Sequence, residues 1–338
     1  MKKGICNALL ALSLVMVTSC DKEEQTSNLN DLSTTNNEPL VAKGCGTHSS
    51  YLKMVEQYPE IAEEASRIEK FTEKTTASLL TKKSTNSTIT IPVIVHVVYN
   101  TPEQNIKWSQ VKSQIDALNR DFNQENDDIS NVPNAYKRRI ANVGIRFELK
   151  RITRTKTDVV EFRDDPSTKK VDEKFNIMVS SEGGKRITDS KKYLNIWVGN
   201  IDISFAGFSL RPASSSRLPH LDGVVVDYRH FGTNGTANMY FNKGRTAVHE
   251  VGHWLNLIHL SGDGLCDKDD GVSDTPKQST EYLGSCVSYP ETSTCNTPDM
   301  TMNFMQSLFD ECLFMFTNGQ KNRMLSTFEP GGVRETFK

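Results

Sequence analysis

The sequence predicts an α/β (α+β) fold: a mixed twisted sheet backed by helices, then one short buried helix, then a loop-rich half stapled by disulfides. Three observations predict it. β-branched, strand-like runs recur at "TITIPVIVHVVYN", "GIRFELKRI", "YLNIWVGNI" and "DGVVVDY", with a helical stripe among them. "HEVGHWLNLIHL", residues 249–260, gathers three of the chain's seven histidines and opens with an i, i+4 pair. Cys266, Cys286, Cys295 and Cys312 crowd the C-terminal end, and an oxidising compartment favours pairing them, in one of three connectivities.

Taken in order, residues 1–19 read as a secretory signal. Lys2 and Lys3 lead a mostly apolar run over 5–17 that is short for a bilayer span. "VTSC" resembles a bacterial lipoprotein cleavage box, which makes Cys20 the lipidated first residue of the mature chain. Residues 20–38 are a polar, flexible tether. Residues 39–83 form a helical pro-segment in which Tyr51, Met54, Val55, Tyr58, Ile61 and Ile68 recur at helical intervals, broken at Pro59. "TKKSTNST" (81–88) is a polar, exposed boundary suited to proteolysis. Residues 84–338 are one large domain, with subdomains over about 84–255 and 256–338. Net charge is −2 with 24% charged residues, so no basic excess points to nucleic acid.

Within that domain, the strand over 88–100 is expected to be buried, and His96 in it reads as a sheet or core histidine rather than a metal ligand. Trp108, Val111, Ile115 and Leu118 mark the apolar stripe of a helix over 108–120. His220 and His230 lie in polar stretches and read as surface residues.

His249 and His253, four apart on a helix, put two imidazoles on one face within reach of one metal ion, with Glu250 placed to lean over a bound water. His259 lies ten residues after His249, about 15 Å along a continuous helix at 1.5 Å per residue, so it joins them only if the chain doubles back after His253. That reversal needs a residue that accepts positive φ. Asn256 is the candidate, since Asn enters the left-handed region more readily than other non-glycine residues, with strain that Gly would avoid.

These residues resemble the metzincin signature, H-E-x-x-H-x-x-G-x-x-H with a downstream Met-turn, with Asn256 at the usual Gly position and Met305 in "NFM" as the Met-turn. "GRTAVHEVGHWL", "CDKDDGVSDTP" and "FTNGQKNRM", together with the strand motifs, are similar in order and spacing to the pappalysin family over roughly residues 90–325. The resemblance implies a metzincin-like catalytic domain and a zinc endopeptidase acting on proteins or peptides. His249, His253 and His259 would hold Zn2+, Glu250 would be general acid and base, and Met305 an apolar floor beneath the imidazoles. It further implies Cys266–Cys295 and Cys286–Cys312 disulfides, and a cysteine switch in which Cys45 of "KGCGTHSS" takes the fourth zinc position in a latent zymogen. Ser307 stands where relatives carry a Tyr that assists the oxyanion. Relatives hold Ca2+ near Asp263, Asp267, Asp269, Asp270 and Asp274; the same crowding also suits a solvated acidic loop. Asp310 and Glu311 either face a pocket that selects Arg or Lys on the primed side of the cut or face solvent. The expected protein is a monomeric, exported lipoprotein at the outer membrane or cell surface, anchored through its N-terminal lipid and open to shedding after processing. The competing expectation, carried by Asn256 and Ser307, is a catalytically weak or inactive zinc-bearing surface lipoprotein that binds proteins or peptides.

Overall fold

The computed structural model describes residues 44–81, 88–163, 173–202 and 204–338. The signal at 1–19, Cys20, the tether at 20–38 and the boundary stretch at 82–87 lie outside the described residues.

The chain begins with a two-residue strand β1 (Gly44–Cys45), then helices α1 (Thr47–Gln57) and α2 (Glu60–Thr81). The break between the helices falls at Tyr58 and Pro59, as expected where proline removes a donor and disfavours helix before it. There follow β2 (Ile89–Tyr99), α3 (Trp108–Phe122), β3 (Ile145–Lys156), β4 (Leu194–Gly199), β5 (Phe205–Ser209), α4 (Pro212–Arg217), β6 (Val224–Asp227) and α5 (Arg245–Trp254). The C-terminal part has only the short strands β7 (Leu283–Gly284) and β8 (Ser307–Leu308) and helix α6 (Asn318–Ser326). It carries Cys266–Cys295 and Cys286–Cys312 disulfides.

Six strands form one sheet in the order β1-β5-β6-β4-β2-β3. β5 runs antiparallel to β6, and the other neighbours are parallel. Strands covered on both faces read as continuous apolar runs, and "IPVIVHVV" is such a run. Val93, Val95 and Val97 join the core shared with α3 and α5, whereas Val98 joins a second core with Trp197, Phe208, Met54, Ile61 and Ile68. Helices α1 and α2 therefore supply part of the cover on the sheet's second face.

His96 is fully buried in this sheet, between Thr153 Oγ1 and Asn195 Oδ1 at 2.8 Å each, and tilted against Trp197. Two sequence expectations are corrected. Trp108 lies off the apolar stripe, 62% exposed, because as the first helical residue it precedes the packed turns. His230 is buried beside Asp227 and edge-on to Phe241, not at the surface, while His220 is exposed. The polar stretch around His230 misled because its neighbours pair internally: Arg229 bonds Asp227.

Candidate active site

Helix α5 is anchored at its N-terminus before it presents any ligand. Asp310 accepts from the Lys243 and Arg245 backbone N–H groups at 2.7 and 3.3 Å, and buried Arg245 reaches Asp128 and the Asp310 carbonyl. A carboxylate at this end also complements the helix dipole. Asp310 Oδ2 therefore holds the start of α5, and the same residue lines the cavity beside His249 and Glu250. Glu311 beside it is exposed.

The far end of α5 is where the chain turns back. Asn256 has φ 73°. Leu257 N–H donates to the Gly252 carbonyl and Asn256 N–H to that of His253, both at 2.9 Å. That is the paired pattern of a Schellman cap with Asn256 as its left-handed residue. The reversal brings His259 opposite the two helical histidines. Gly252 is required on the inner face: a Cβ there would lie 2.6 Å from the Met305 sulfur, so glycine lets the fully buried Met305 sit against the helix.

Each imidazole is fixed through Nδ1: His249 to the Phe304 carbonyl at 2.8 Å, His253 to that of Leu257 at 2.9 Å, His259 to Asp263 Oδ1 at 2.7 Å. Bonding to carbonyl or carboxylate oxygen requires Nδ1 to carry the proton, so each Nε2 presents a lone pair. The His253 Nε2 lies 3.0 Å from that of His249 and 3.2 Å from that of His259. Three buried lone pairs aimed at one another repel unless a cation lies between them. Tetrahedral bonds of 2.0–2.1 Å would space such nitrogens by about 3.3 Å, so the donor set fits zinc. Phe304 and Leu257 act through backbone carbonyls, which carry no sequence signature. Asp263 stood out only within the acidic run; although burial pushes its carboxyl up, His259, His48 and Arg211 hold it well below the usual range.

Cys45 joins the three histidines in a group whose ligating atoms all lie within 4.8 Å of one another. It is carried there by β1, which pairs parallel with β5 at Cys45 opposite Gly207. Two residues on, Thr47 Oγ1 donates to Glu250 Oε2 at 2.8 Å and accepts from Ser209 N–H at 2.9 Å. His48 Nδ1 lies 3.0 Å from Asp263. Consecutive parts of the "CGTH" stretch thus meet the metal centre, the carboxylate of Glu250 and the carboxylate that orients His259. Burial pushes Glu250 up to about 7, against the hydrogen bonds from Cys45 and Thr47. Beside Glu250 and His249 lies a cavity of about 20 Å³ whose lining includes Phe241, Leu308, Asp310 and Leu313.

Ser307 turns its hydroxyl to Glu281, whose other oxygen lies 3.3 Å from His259 Nδ1. No motif in the sequence marks Glu281. The five aspartates expected to hold calcium do not converge. Asp263 serves His259, and Asp267 is exposed. Asp269 caps Gly271, Asp270 binds Thr275 and Val272, and Asp274 binds Thr317 and Gly319. The last three each satisfy a local turn or a helix start.

The family described as "Pregnancy-associated plasma protein-A", a peptidase family, matches residues 180–329. An extracellular metalloprotease of Arthroderma benhamiae is 30% identical over 245 residues, 71% of this chain and 78% of that protein. Among solved structures, mature mirolysin of Tannerella forsythia in complex with a cleaved peptide is 40% identical, with TM-score 0.69 over 74% of this chain and 96% of that one. A promirolysin mutant from the same organism is 36% identical, with TM-score 0.76 over 87% and 97%.

Proposed function

Because the chain belongs to the pappalysin family of metzincin metalloendopeptidases, we propose that it is a secreted zinc endopeptidase held latent by its own N-terminal segment. The observation that carries this reading is the meeting of Cys45 and Thr47 with His249, His253, His259 and Glu250. His249, His253 and His259 hold zinc through Nε2, and their Nδ1 partners keep the rings aimed. When bound, zinc supplies Lewis acidity toward water and the peptide carbonyl. Glu250 accepts a proton from the attacking water and returns it to the leaving amine nitrogen. Met305 walls the rings from below, and the β5 edge that β1 covers pairs with an extended substrate peptide.

In the latent form, residues 39–83 act as the pro-segment ahead of the domain over 84–338. Cys45 would add a thiolate to the three histidines as a zinc ligand, and Thr47 occupies the carboxylate that must receive the proton. Proteolysis between α2 and β2 starts activation. The lipid on Cys20 keeps the precursor at the outer membrane or cell surface; among the described residues no helix is long and apolar enough to cross a membrane. The protein works as a monomer on protein or peptide substrates, and Asp310, lining the cavity beside Glu250, favours a basic residue on the primed side, with Glu311 exposed next to it.

Ser307 favours a second reading, a weak or inactive peptide-binding protein, because its hydroxyl is committed to Glu281 where relatives place a phenol. Glu250→Ala separates the two. If Glu250 moves the proton, the trimmed variant keeps zinc and loses at least about 100-fold in casein turnover. Turnover near wild type would refute the assignment; no turnover in either trimmed protein would establish the second reading.

A further inference from the structure

Helix α2 is held by contacts to Asn256 and Arg323, residues other than those that meet Cys45. Glu69 pairs with Arg323 at two points, Nη1 to Oε1 and Nη2 to Oε2, both at 2.6 Å. The Arg323 side chain is only 4% exposed. Its Nε donates to the Asn256 carbonyl at 2.7 Å, and Asn256 Nδ2 donates to the buried Thr72 Oγ1 at 3.1 Å. Glu69 and Thr72, one helical turn apart, thus grip both the residue that reverses the chain before His259 and the arginine that braces it. Gly271 makes room for the pair, since a Cβ there would lie 2.7 Å from Arg323 Nη1 and 3.0 Å from Glu69 Oε1. Ile61 and Ile68 on the same helix are buried in one cluster with Leu210, Ala213, Leu218 and Leu221.

We infer that the domain carries, apart from the zinc cleft, a docking groove for an amphipathic helix bearing a carboxylate, and that the pro-segment stays seated in it after the chain is cut beyond Thr81. The inference rests on the proposed reading of residues 39–83 as a removable pro-segment. Three features of the contact support it. A bidentate arginine–carboxylate pair adds geometric specificity as well as energy, here with the arginine side chain 4% and the glutamate 38% exposed. Replacing Glu69 while the helix stays seated leaves the Arg323 guanidinium covered without its carboxylate, which weakens the docked state. The Cys45 end and the α2 end belong to one segment, so each holds the other at high local concentration. Asn256 supplies the groove's amide, which the glycine usual at this position could not. Cutting the connection is then a first step only; activity follows when the seated helix is degraded or displaced.

The test uses the full-length precursor with residues 82–87 replaced by the recognition sequence of a site-specific protease, in a Cys45→Ala background so that no thiolate holds the segment. After cutting, size-exclusion chromatography reads how much pro-segment co-elutes with the domain, and serial dilution gives its dissociation constant. The two segments should co-elute. Glu69→Gln with Thr72→Val should weaken retention at least about 10-fold, while Glu73→Gln on the exposed face should leave it unchanged. Since all three positions lie in the removable segment, the domain itself is identical in every case. A pro-segment that elutes free on cutting, or a Glu69→Gln/Thr72→Val segment that binds as tightly as its parent, would overturn the inference. Circular dichroism of the uncut variants confirms that a loss of retention is not a failure to fold. Casein turnover by the stripped domain is scored separately: an inert domain would sink the proposed function and leave the retention result standing.

Discussion

Asn256 is the position where local backbone energetics reach the metal directly. The left-handed conformation costs an L-residue roughly 1–2 kcal/mol, with Asn at the low end and β-branched residues at the high end. At φ 73°, Asn256→Val should add about 1 kcal/mol to the closed turn. His259 faces His249 and His253 only when that turn is closed, so the strain appears as lost metal affinity. At 1.4 kcal/mol per factor of ten, that is about 5-fold weaker zinc binding. Asn256→Gly relieves the strain and should bind zinc within about threefold of wild type or tighter. In the precursor both variants also lose the bond to Thr72, worth about 1 kcal/mol. The assay is competition against a fluorescent zinc chelator, run on the trimmed domain so that the Thr72 term is absent. Equal affinity for Asn, Gly and Val would refute the link between this φ and the metal site.

Two further outcomes follow from the same coordinates. With residues 82–87 made uncleavable, the Cys45→Ala precursor should hydrolyse a short peptide at least about 10-fold faster than the wild-type precursor; equal rates would mean that the thiol contributes nothing to latency. His96 sets an acid slope in stability. Burial pushes its ring from 6.5 down to about 4, against the hydrogen bond to Asn195. The unfolded chain therefore takes up the proton first, so stability is lost as pH falls from 6.5 toward 4, by about 3 kcal/mol in all, and this group adds no slope above that range. Urea unfolding across this range should show the loss in wild type and a much flatter profile in His96→Gln; matching slopes would remove His96 from the account.

Periodicity and spacing made much of this visible. Val93, Val95 and Val97 announced a buried strand, the 249/253 spacing announced one metal-facing helix face, and Asn256 announced the reversal. What escaped the sequence depends on distant partners. The Phe304 and Leu257 carbonyls orient ligands through backbone atoms that every residue possesses. The bond of Asp310 Oδ2 to the Lys243 and Arg245 N–H groups joins residues more than sixty positions apart, and no local pattern marks it. His230 looked exposed because no local pattern reveals that Asp227 is buried beside it. The five aspartates between 263 and 274 look like one cluster in sequence, yet Asp263 goes to His259, Asp267 to the surface, and Asp269, Asp270 and Asp274 to separate turns or a helix start. The pro-segment's grip on Asn256 and Arg323 joins residues so far apart in sequence that no short-range rule reaches it.

The central claim is that this chain, once freed of its N-terminal segment, cuts peptide bonds with zinc held by His249, His253 and His259. The most direct measurement is casein hydrolysis by the domain stripped of residues before 88, with its zinc content determined in parallel, before chelation, after chelation and after zinc is returned. The account predicts one zinc per chain with activity, loss of both on chelation, and recovery of both together on readdition. Hydrolysis that persists in chelated, zinc-free protein, or a zinc-loaded stripped domain that cuts nothing, would contradict it.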